Sequence, residues 1–196
     1  MTTTSGLLLA AGQSRRFGGA NKLLAPLEGQ PLVAHAAQAL MDTGFAPLVA
    51  VVADPGVARV LDGFELVWIG AGTVAQSRSL AAGVAAAARK NPDRLVVALG
   101  DMPRVTARLL VAVGDRCARN GAASAHDGSR PMPPAAFDRS RFSELERLTG
   151  DRGAVALLRN LPTSALVPAP VEALVDIDTE EDLARLQSAE GGVTRA

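Results

Sequence analysis

The sequence holds one cysteine, two histidines, no tyrosine and only 3% aromatic residues among its 196 positions. The lone Cys117 cannot form an internal disulfide, and no cysteine and histidine cluster has metal-ligand spacing, which excludes a disulfide scaffold and a zinc site of that kind. A reducing cytoplasm is the expected setting. Charge of one sign is also missing: 20 basic and 20 acidic residues leave a formal charge of zero. Proteins that live on a nucleic-acid backbone or an anionic membrane favour a strong basic surplus, so the expected partners are small molecules or other proteins. No hydrophobic run reaches membrane length. The run Leu7–Ala11 is too short for a secretory core, and Arg15 and Arg16 follow it rather than precede it, so neither a signal peptide nor a span is expected. Internal repeats, heptads and a domain-separating linker are absent as well.

What is present is apolar bulk, with 48% hydrophobic residues in one domain-sized chain. Short apolar runs alternate with amphipathic segments, the rhythm of an α/β fold with helices on both faces of a mostly parallel sheet. Strands are predicted at Gly6–Ala10, Pro47–Val52, Glu65–Ile69 and Leu95–Leu99, each rich in Leu, Val and Ile as expected where both faces are covered. Helices are predicted after Pro31, where Leu32, Val33, Ala36, Leu40 and Met41 recur at helical spacing up to Gly44, and over Val74–Lys90 and Thr106–Arg119. In the last of these Thr106 caps the start while Leu109, Leu110, Val113 and Cys117 share one face. Beyond Asn120, a strand is expected at Ala122–Ala125, an extended or looped stretch at Arg130–Pro134, and short helices at Ser143–Leu148 and Ala154–Asn160. A strand at Leu174–Ile177 should precede a helix capped by Thr179, with fraying from Ser188. Trp68 and Cys117 are expected in the core and His35 packed or partly exposed on its helix; His126 follows a strand in the second half of the chain, where it is either a binding residue or has no role in a site, and neither histidine has the partners of a catalytic triad.

Three stretches carry chemistry. In LLLAAGQSRRFGGANK, Leu7 to Lys22, an apolar run opens into a glycine-rich, doubly basic loop. Gly12, Gly18 and Gly19 permit backbone conformations in which N–H groups turn inward on an anion. Ser14 offers a hydroxyl, Arg15 and Arg16 offer forked guanidinium groups for phosphate oxygens, and Lys22 a point charge. The loop is neither a dinucleotide fingerprint, which needs GxGxxG, nor a Walker loop, since Lys22 is followed by leucine. The second stretch, LVVALGDMP, ends an apolar strand in Asp101, at the carboxyl edge where open α/β sheets bind ligands. Asp101 either caps the following turn or contributes to a magnesium site, an ion that takes one or two carboxylates and completes its shell with water and phosphates. In the third, Asp176-Ile177-Asp178-Thr179, alternation puts the two aspartates on one side of an extended segment, where they either face a ligand or supply helix N-terminal charge.

LLLAAGQSRRFGGANK, LGDMP, TGDRGA and DIDTEEDL, in this order and spacing, resemble the MobA-like nucleotidyltransferases, and within them the molybdenum cofactor cytidylyltransferases, over roughly Leu7 to Leu186. The resemblance implies a three-layer, Rossmann-like fold and transfer of a nucleoside monophosphate from an NTP to a phosphorylated acceptor, with Mg²⁺ as cofactor. It implies a nucleotide-binding half over residues 1–103, an acceptor half over 104–190 and a tail at 191–196. The phosphate loop falls on Leu9, Ala10, Ala11, Gly12, Ser14, Arg15 and Arg16, with Lys22 as the lysine, and Lys22, Arg16 and Asp101 as the catalytic set. The metal position falls on Asp101, with a second on Asp176 or Asp178. QSRSLAAG, Gln76–Gly83, is similar to the base-contacting turn, which places Ser79 near the base. Asp151, Arg152 and Gly153 match the acceptor loop. LAAG in place of the LAGG of related guanylyltransferases points to CTP. Met132-Pro133-Pro134 stands where the molybdenum cofactor enzymes often carry Gly-His-Pro. A molybdopterin-type acceptor and a receiving molybdoenzyme or its chaperone are the implied partners.

Overall fold

Two apolar faces on each central strand organise the molecule. The computed structural model describes residues 2–12, 14, 17–18, 20–70, 76–148, 150 and 155–191. In chain order they form β1 (Thr4–Ala10), a two-stranded ribbon of β2 (Pro26–Leu27) and β3 (Gln30–Pro31), α1 (Leu32–Met41), β4 (Leu48–Val52), α2 (Pro55–Ala58), β5 (Glu65–Trp68), α3 (Gln76–Ala88) and β6 (Arg94–Leu99). Then come α4 (Ala107–Asn120), β7 (Ala122–His126), β8 (Pro131–Asp138), α5 (Phe142–Glu146), α6 (Val155–Leu158), β9 (Leu166–Pro168) and α7 (Glu180–Gly191). The main sheet runs β5-β4-β1-β6-β8-β7-β9. Only β8 opposes its neighbours; β1 pairs in parallel with β4 and β6, β4 with β5, and β7 with β9.

Alternation along the strands sends Leu8, Ala50, Val52, Val96 and Ala98 to one face, where they pack with Val33 and Leu40 of α1 and with Leu110, Val113 and Cys117 of α4. Leu7, Val49, Val51, Leu95 and Val97 go to the other, against Leu80 and Val84 of α3, Phe142 and Leu145 of α5, and Leu158 of α6. Both faces are thus sealed, the condition under which parallel strands become uniformly apolar. Close approach needs glycine at one place in α3: a Cβ on Gly83 would stand 2.6 Å from Leu7 Cδ1 and 2.8 Å from Val51 Cγ2.

The predicted three-layer α/β architecture with a mostly parallel, mixed sheet is the one observed, and the capping assignments hold. Thr106 Oγ1 accepts from the Leu109 N–H at 3.3 Å, and Gly44 closes α1 with φ 72°. Some expectations need correction. Leu174–Ile177 joins no strand ladder: Val171–Leu174 is a 3-10 turn, and the extended residues after it run toward β6 through one backbone bond described below. Trp68 is 54% exposed rather than core, because it ends the edge strand β5, beyond the helices that cover its neighbours. For the same reason Glu65, Leu66 and Val67 are only half-buried. Helix α7 continues to Gly191, past Ser188. Finally, α2, β9 and the short ribbon strands β2 and β3 went unpredicted; Arg130–Pro134 is extended from Pro131 as expected, and opens the strand β8.

Candidate active site

The carboxyl ends of β1 and β6 stand side by side, and Gly100 N–H bonds back to the Leu9 carbonyl at 3.0 Å. This pairing brings the loop after β1 against the turn after β6, which carries Asp101. Gly100 keeps the turn tight: a Cβ there would lie 3.1 Å from Val33 Cγ2 and 3.4 Å from Leu23 Cδ2.

Within the loop, Ser14 is a backbone clamp. Its Oγ accepts from the Lys22 N–H at 2.7 Å, and its carbonyl accepts from Phe17 N–H at 3.0 Å. Asn21 caps the 3-10 turn Lys22–Leu24, its Oδ1 accepting from Leu23 N–H at 3.1 Å. Phe17 is buried with Leu27, Leu32, Ile177 and Leu183, so a small apolar cluster staples the loop to α7 and to the acidic segment before it. Of the loop glycines, Gly18 takes the left-handed conformation (φ 50°), whereas Gly12 does not; a Cβ on Gly12 would meet nothing within 4 Å. Its contribution is open space rather than a strained turn.

The acidic segment is fixed from both sides. Ile177 is fully buried, and its N–H donates to the Asp101 carbonyl at 2.9 Å. Downstream, Thr179 and Asp182 form a capping box. Asp182 Oδ2 accepts from Thr179 N–H and Oγ1–H at 2.9 and 2.8 Å, while Thr179 Oγ1 accepts from Asp182 N–H at 3.1 Å. These bonds bring Asp178 onto Lys22.

At the centre the Lys22 ammonium lies 2.8 Å from Asp101 Oδ2 and 2.8 Å from Asp178 Oδ1. Burial pulls its pKa down, but the charges and hydrogen bonds of Asp101 and Asp178 outweigh that and hold it above the ordinary 10.5. Of the two acidic candidates, Asp178 bonds Lys22. Asp176 has an open surface, yet its carboxyl is lifted above its usual value, first by partial loss of solvent and then by the charges of Asp101 and Asp178. Asp101 Oδ1 is sealed from solvent and has no hydrogen-bond partner among the described residues. A buried carboxylate oxygen left without a donor suits a cation, and oxygen donors suit a hard divalent ion. No cluster of three or more His, Cys, Asp or Glu that could hold a metal occurs among the described residues, so one or two carboxylates are what those residues offer.

A cleft of about 170 Å³ adjoins this group, lined by Leu9, Ala11, Gly12, Lys22, Leu23, Gln76, Ser79, Leu99 and Asp101. It therefore brings together Leu9, Ala11, Gly12 and Lys22 of the expected loop set, Ser79 of the first turn of α3, and Asp101; Ser14, Asp176 and Asp178 do not line it, and Ala10 is buried. Gln76 opens the expected base-contacting turn, whereas Leu23 and Leu99 had no site role in the sequence reading. A smaller apolar cavity of about 40 Å³, reaching to Pro133, Ala135 and Phe137, shares Leu9, Gln76 and Leu99 with the cleft. Arg15, Arg16, Gly19, Asp151, Arg152 and Gly153 lie outside the described residues.

A phosphate-suited loop, a lysine and a strand-end aspartate converging on one cleft at the carboxyl edge of a doubly covered sheet define a nucleotide-binding α/β protein. Residues 6–166 match the MobA-like NTP transferase domain, and the chain belongs to that family of nucleotidyltransferases. Among similar proteins, the purine catabolism protein PucB of Bacillus subtilis is 29% identical over 198 residues, covering 90% of this chain and 92% of PucB. The nicotine blue oxidoreductase of Paenarthrobacter nicotinovorans is 32% identical, with 93% and 95% covered. The crystal structure of Rv0371c from Mycobacterium tuberculosis superposes with a TM-score of 0.82 at 27% identity, over 95% of this chain and 98% of that one. A manganese complex of Rv0371c matches at a TM-score of 0.78 and 26% identity, with 96% and 100% covered. No helix among the described residues is long and apolar enough to cross a membrane.

Proposed function

We propose that the protein transfers CMP from CTP to the phosphate of a molybdopterin-type cofactor and releases pyrophosphate. The observation that carries the reading is the single cleft in which Ala11, Gly12, Lys22, Ser79 and Asp101 meet. In this reading the Ala10–Gly12 backbone and Ser79 receive the nucleoside, and Lys22 with Arg15 and Arg16 neutralise the triphosphate. An acceptor phosphate oxygen attacks the α-phosphorus as the bond to the pyrophosphate oxygen breaks. The nucleophile is already an anion, so positioning and charge neutralisation supply the rate. Asp101 and Asp178 would hold Mg²⁺, whose contribution when bound is charge neutralisation at the phosphates. The manganese complex of Rv0371c supports a divalent metal in a similar fold without selecting magnesium. Asp151, Arg152 and Gly153 would receive the pterin phosphate, and a molybdoenzyme or its chaperone would take the product in the cytoplasm.

LAAG rather than LAGG supports CTP over GTP, while Met132-Pro133-Pro134 leaves room for another acceptor, such as a sugar phosphate or methylerythritol phosphate. Incubation with Mg²⁺, all four NTPs and purified molybdenum cofactor, followed by mass identification of the product and measurement of pyrophosphate, tests base and acceptor together. A cytidylylated pterin is expected, and Asp101→Ala should nearly abolish it. A guanylylated product or turnover only with another acceptor would move the specificity. Tight CTP binding with no pyrophosphate from any acceptor would make this an accessory protein that holds the cofactor.

One observation favours a second reading: a relative 32% identical is named an oxidoreductase. The loop lacks a dinucleotide fingerprint, so the expected outcome with reduced nicotinamide nucleotides is no oxidation. Hydride transfer in that assay would displace the transferase reading.

A further inference from the structure

Asp101 and Asp178, the carboxylates that would receive a divalent cation, are already bridged by a cation of the chain itself. The Lys22 ammonium holds Asp101 Oδ2 and Asp178 Oδ1, each at 2.8 Å. The remaining oxygen of Asp101 is sealed from solvent. While Lys22 stays in place, Oδ2 of Asp101 and Oδ1 of Asp178 are therefore already engaged by a cation. Magnesium binds oxygen at about 2.0–2.1 Å, so an ion bridging the same two oxygens would have to stand where the ammonium stands. Two cations of total charge three cannot share that space.

The ammonium has a flexible stem to turn on even though its backbone is fixed. Lys22 N–H is pinned on Ser14 Oγ at 2.7 Å and the turn is capped by Asn21, but the four-carbon stem carries a point charge with three rotatable donors. Lys22 also lines the cleft with Gly12, where a Cβ would meet nothing within 4 Å. A triphosphate seated there would offer the ammonium a second set of anionic oxygens within reach of the same stem.

We propose that Lys22 is a built-in counter-cation, occupying the metal position between Asp101 and Asp178 in the free protein and moving onto the nucleotide's phosphates when substrate enters. The inference rests on the nucleotidyl-transfer reading of the site. Its consequence is an order of assembly: metal alone is excluded by the lysine, whereas nucleotide vacates the carboxylates. Because linkage is reciprocal, metal must strengthen nucleotide binding by the same factor that nucleotide strengthens metal binding.

Mn²⁺ alone is the probe, titrated against the whole protein and followed by the electron paramagnetic resonance signal of the free ion. The wild type should bind Mn²⁺ weakly. Lys22→Met and Lys22→Gln should bind it at least tenfold more tightly, on the order expected when one charge of this proximity is removed. Adding Asp101→Asn to Lys22→Met should erase that gain, which locates the ion. Unchanged Mn²⁺ affinity in both lysine variants, or a gain that survives Asp101→Asn, overturns the proposal. Wild-type crystals soaked in Mn²⁺ without nucleotide give a readout that needs no variant. They should show Lys22 on both aspartates and no anomalous peak between them; a peak there with Lys22 undisplaced also overturns it. None of these measurements requires turnover. Absence of pyrophosphate in the transfer assay would count against the catalytic reading while leaving the metal result to stand or fall separately.

Discussion

The Lys22–Asp101 contact is the point at which the site can be tested by stability alone, through Lys22→Met, Asp101→Asn and the double variant. Lys22 is 7% exposed at its side chain and Asp101 23%, so the pair is only partly screened. A hydrogen bond to a charged group contributes about 1.5–3 kcal/mol. Removing the ammonium strips Oδ2 from a carboxylate whose Oδ1 has no partner among the described residues, which costs more than the bond itself, though solvent recovers part of it. Lys22→Met should therefore cost about 2–3 kcal/mol, and the double variant less than the sum of the singles, with a coupling of about 2 kcal/mol. The partner on the other side, Asp178, is 46% exposed, so its coupling to Lys22 should stay below about 1 kcal/mol. Urea unfolding at pH 7 reads these differences; with a slope near 3 kcal/mol/M, 2 kcal/mol moves the midpoint by about 0.7 M. The pH dependence has a fixed sign. The Lys22 pKa is raised above 10.5, so the coupling is fully present below that value and is lost as pH climbs through the raised one. A Lys22–Asp101 coupling under about 0.5 kcal/mol, a larger coupling to Asp178, or loss of coupling already at pH 9 would refute the reasoning.

Gly83→Val should lower the melting temperature by roughly 5–10 °C, since a branched side chain must displace Leu7 and Val51, both fully buried on central strands; an unchanged melt by circular dichroism would contradict the packing. Cys117 is buried under α4 and its thiol is pushed up to about 12, first by desolvation and then by the charge of Asp138. At pH 8 it should resist a thiol reagent in the folded protein and react within minutes in urea, and equal rates in both states would show it to be exposed. Gly12→Val places its side chain in open cleft space, so it should raise the nucleotide KM by about tenfold or more while leaving the melting temperature within about 1 °C; a stability loss with normal KM would reverse that assignment.

The architecture was legible because long parallel strands leave an unbroken apolar record. Leu7, Leu8 and Leu9 in a row, or Leu95 to Leu99, can be satisfied only where helices cover both faces, and α1, α3 and α4 do so. Short elements with neither an apolar run nor a period leave no such record, and PGVA of α2 and LVP of β9 have neither. Trp68 misled for a related reason: composition says what a tryptophan gains from burial, but only strand order says whether anything covers it, and β5 is an edge. The cleft was legible as a set of residue types, because strand ends in an open sheet converge on one edge whatever the details of the loops.

The arrangement of charge within that cleft was a different matter, and Ile177 shows why. Its apolar side chain, between two aspartates, reads as one rung of a strand, yet its N–H is spent on the Asp101 carbonyl while its side chain joins Phe17, Leu27 and Leu183 in a separate small core. One residue thus ties the turn after β6, the phosphate loop and the start of α7 into a single unit, and that tie delivers Asp178 to Lys22. Three charged groups 77 to 156 positions apart along the chain are neighbours for the sake of an isoleucine. Sequence pattern shows each acidic residue as a potential ligand and the lysine as a potential phosphate contact. Only the fold shows that, before any ligand arrives, the lysine already bridges both carboxylates, which is the arrangement from which the proposed exchange of ion pairs would start.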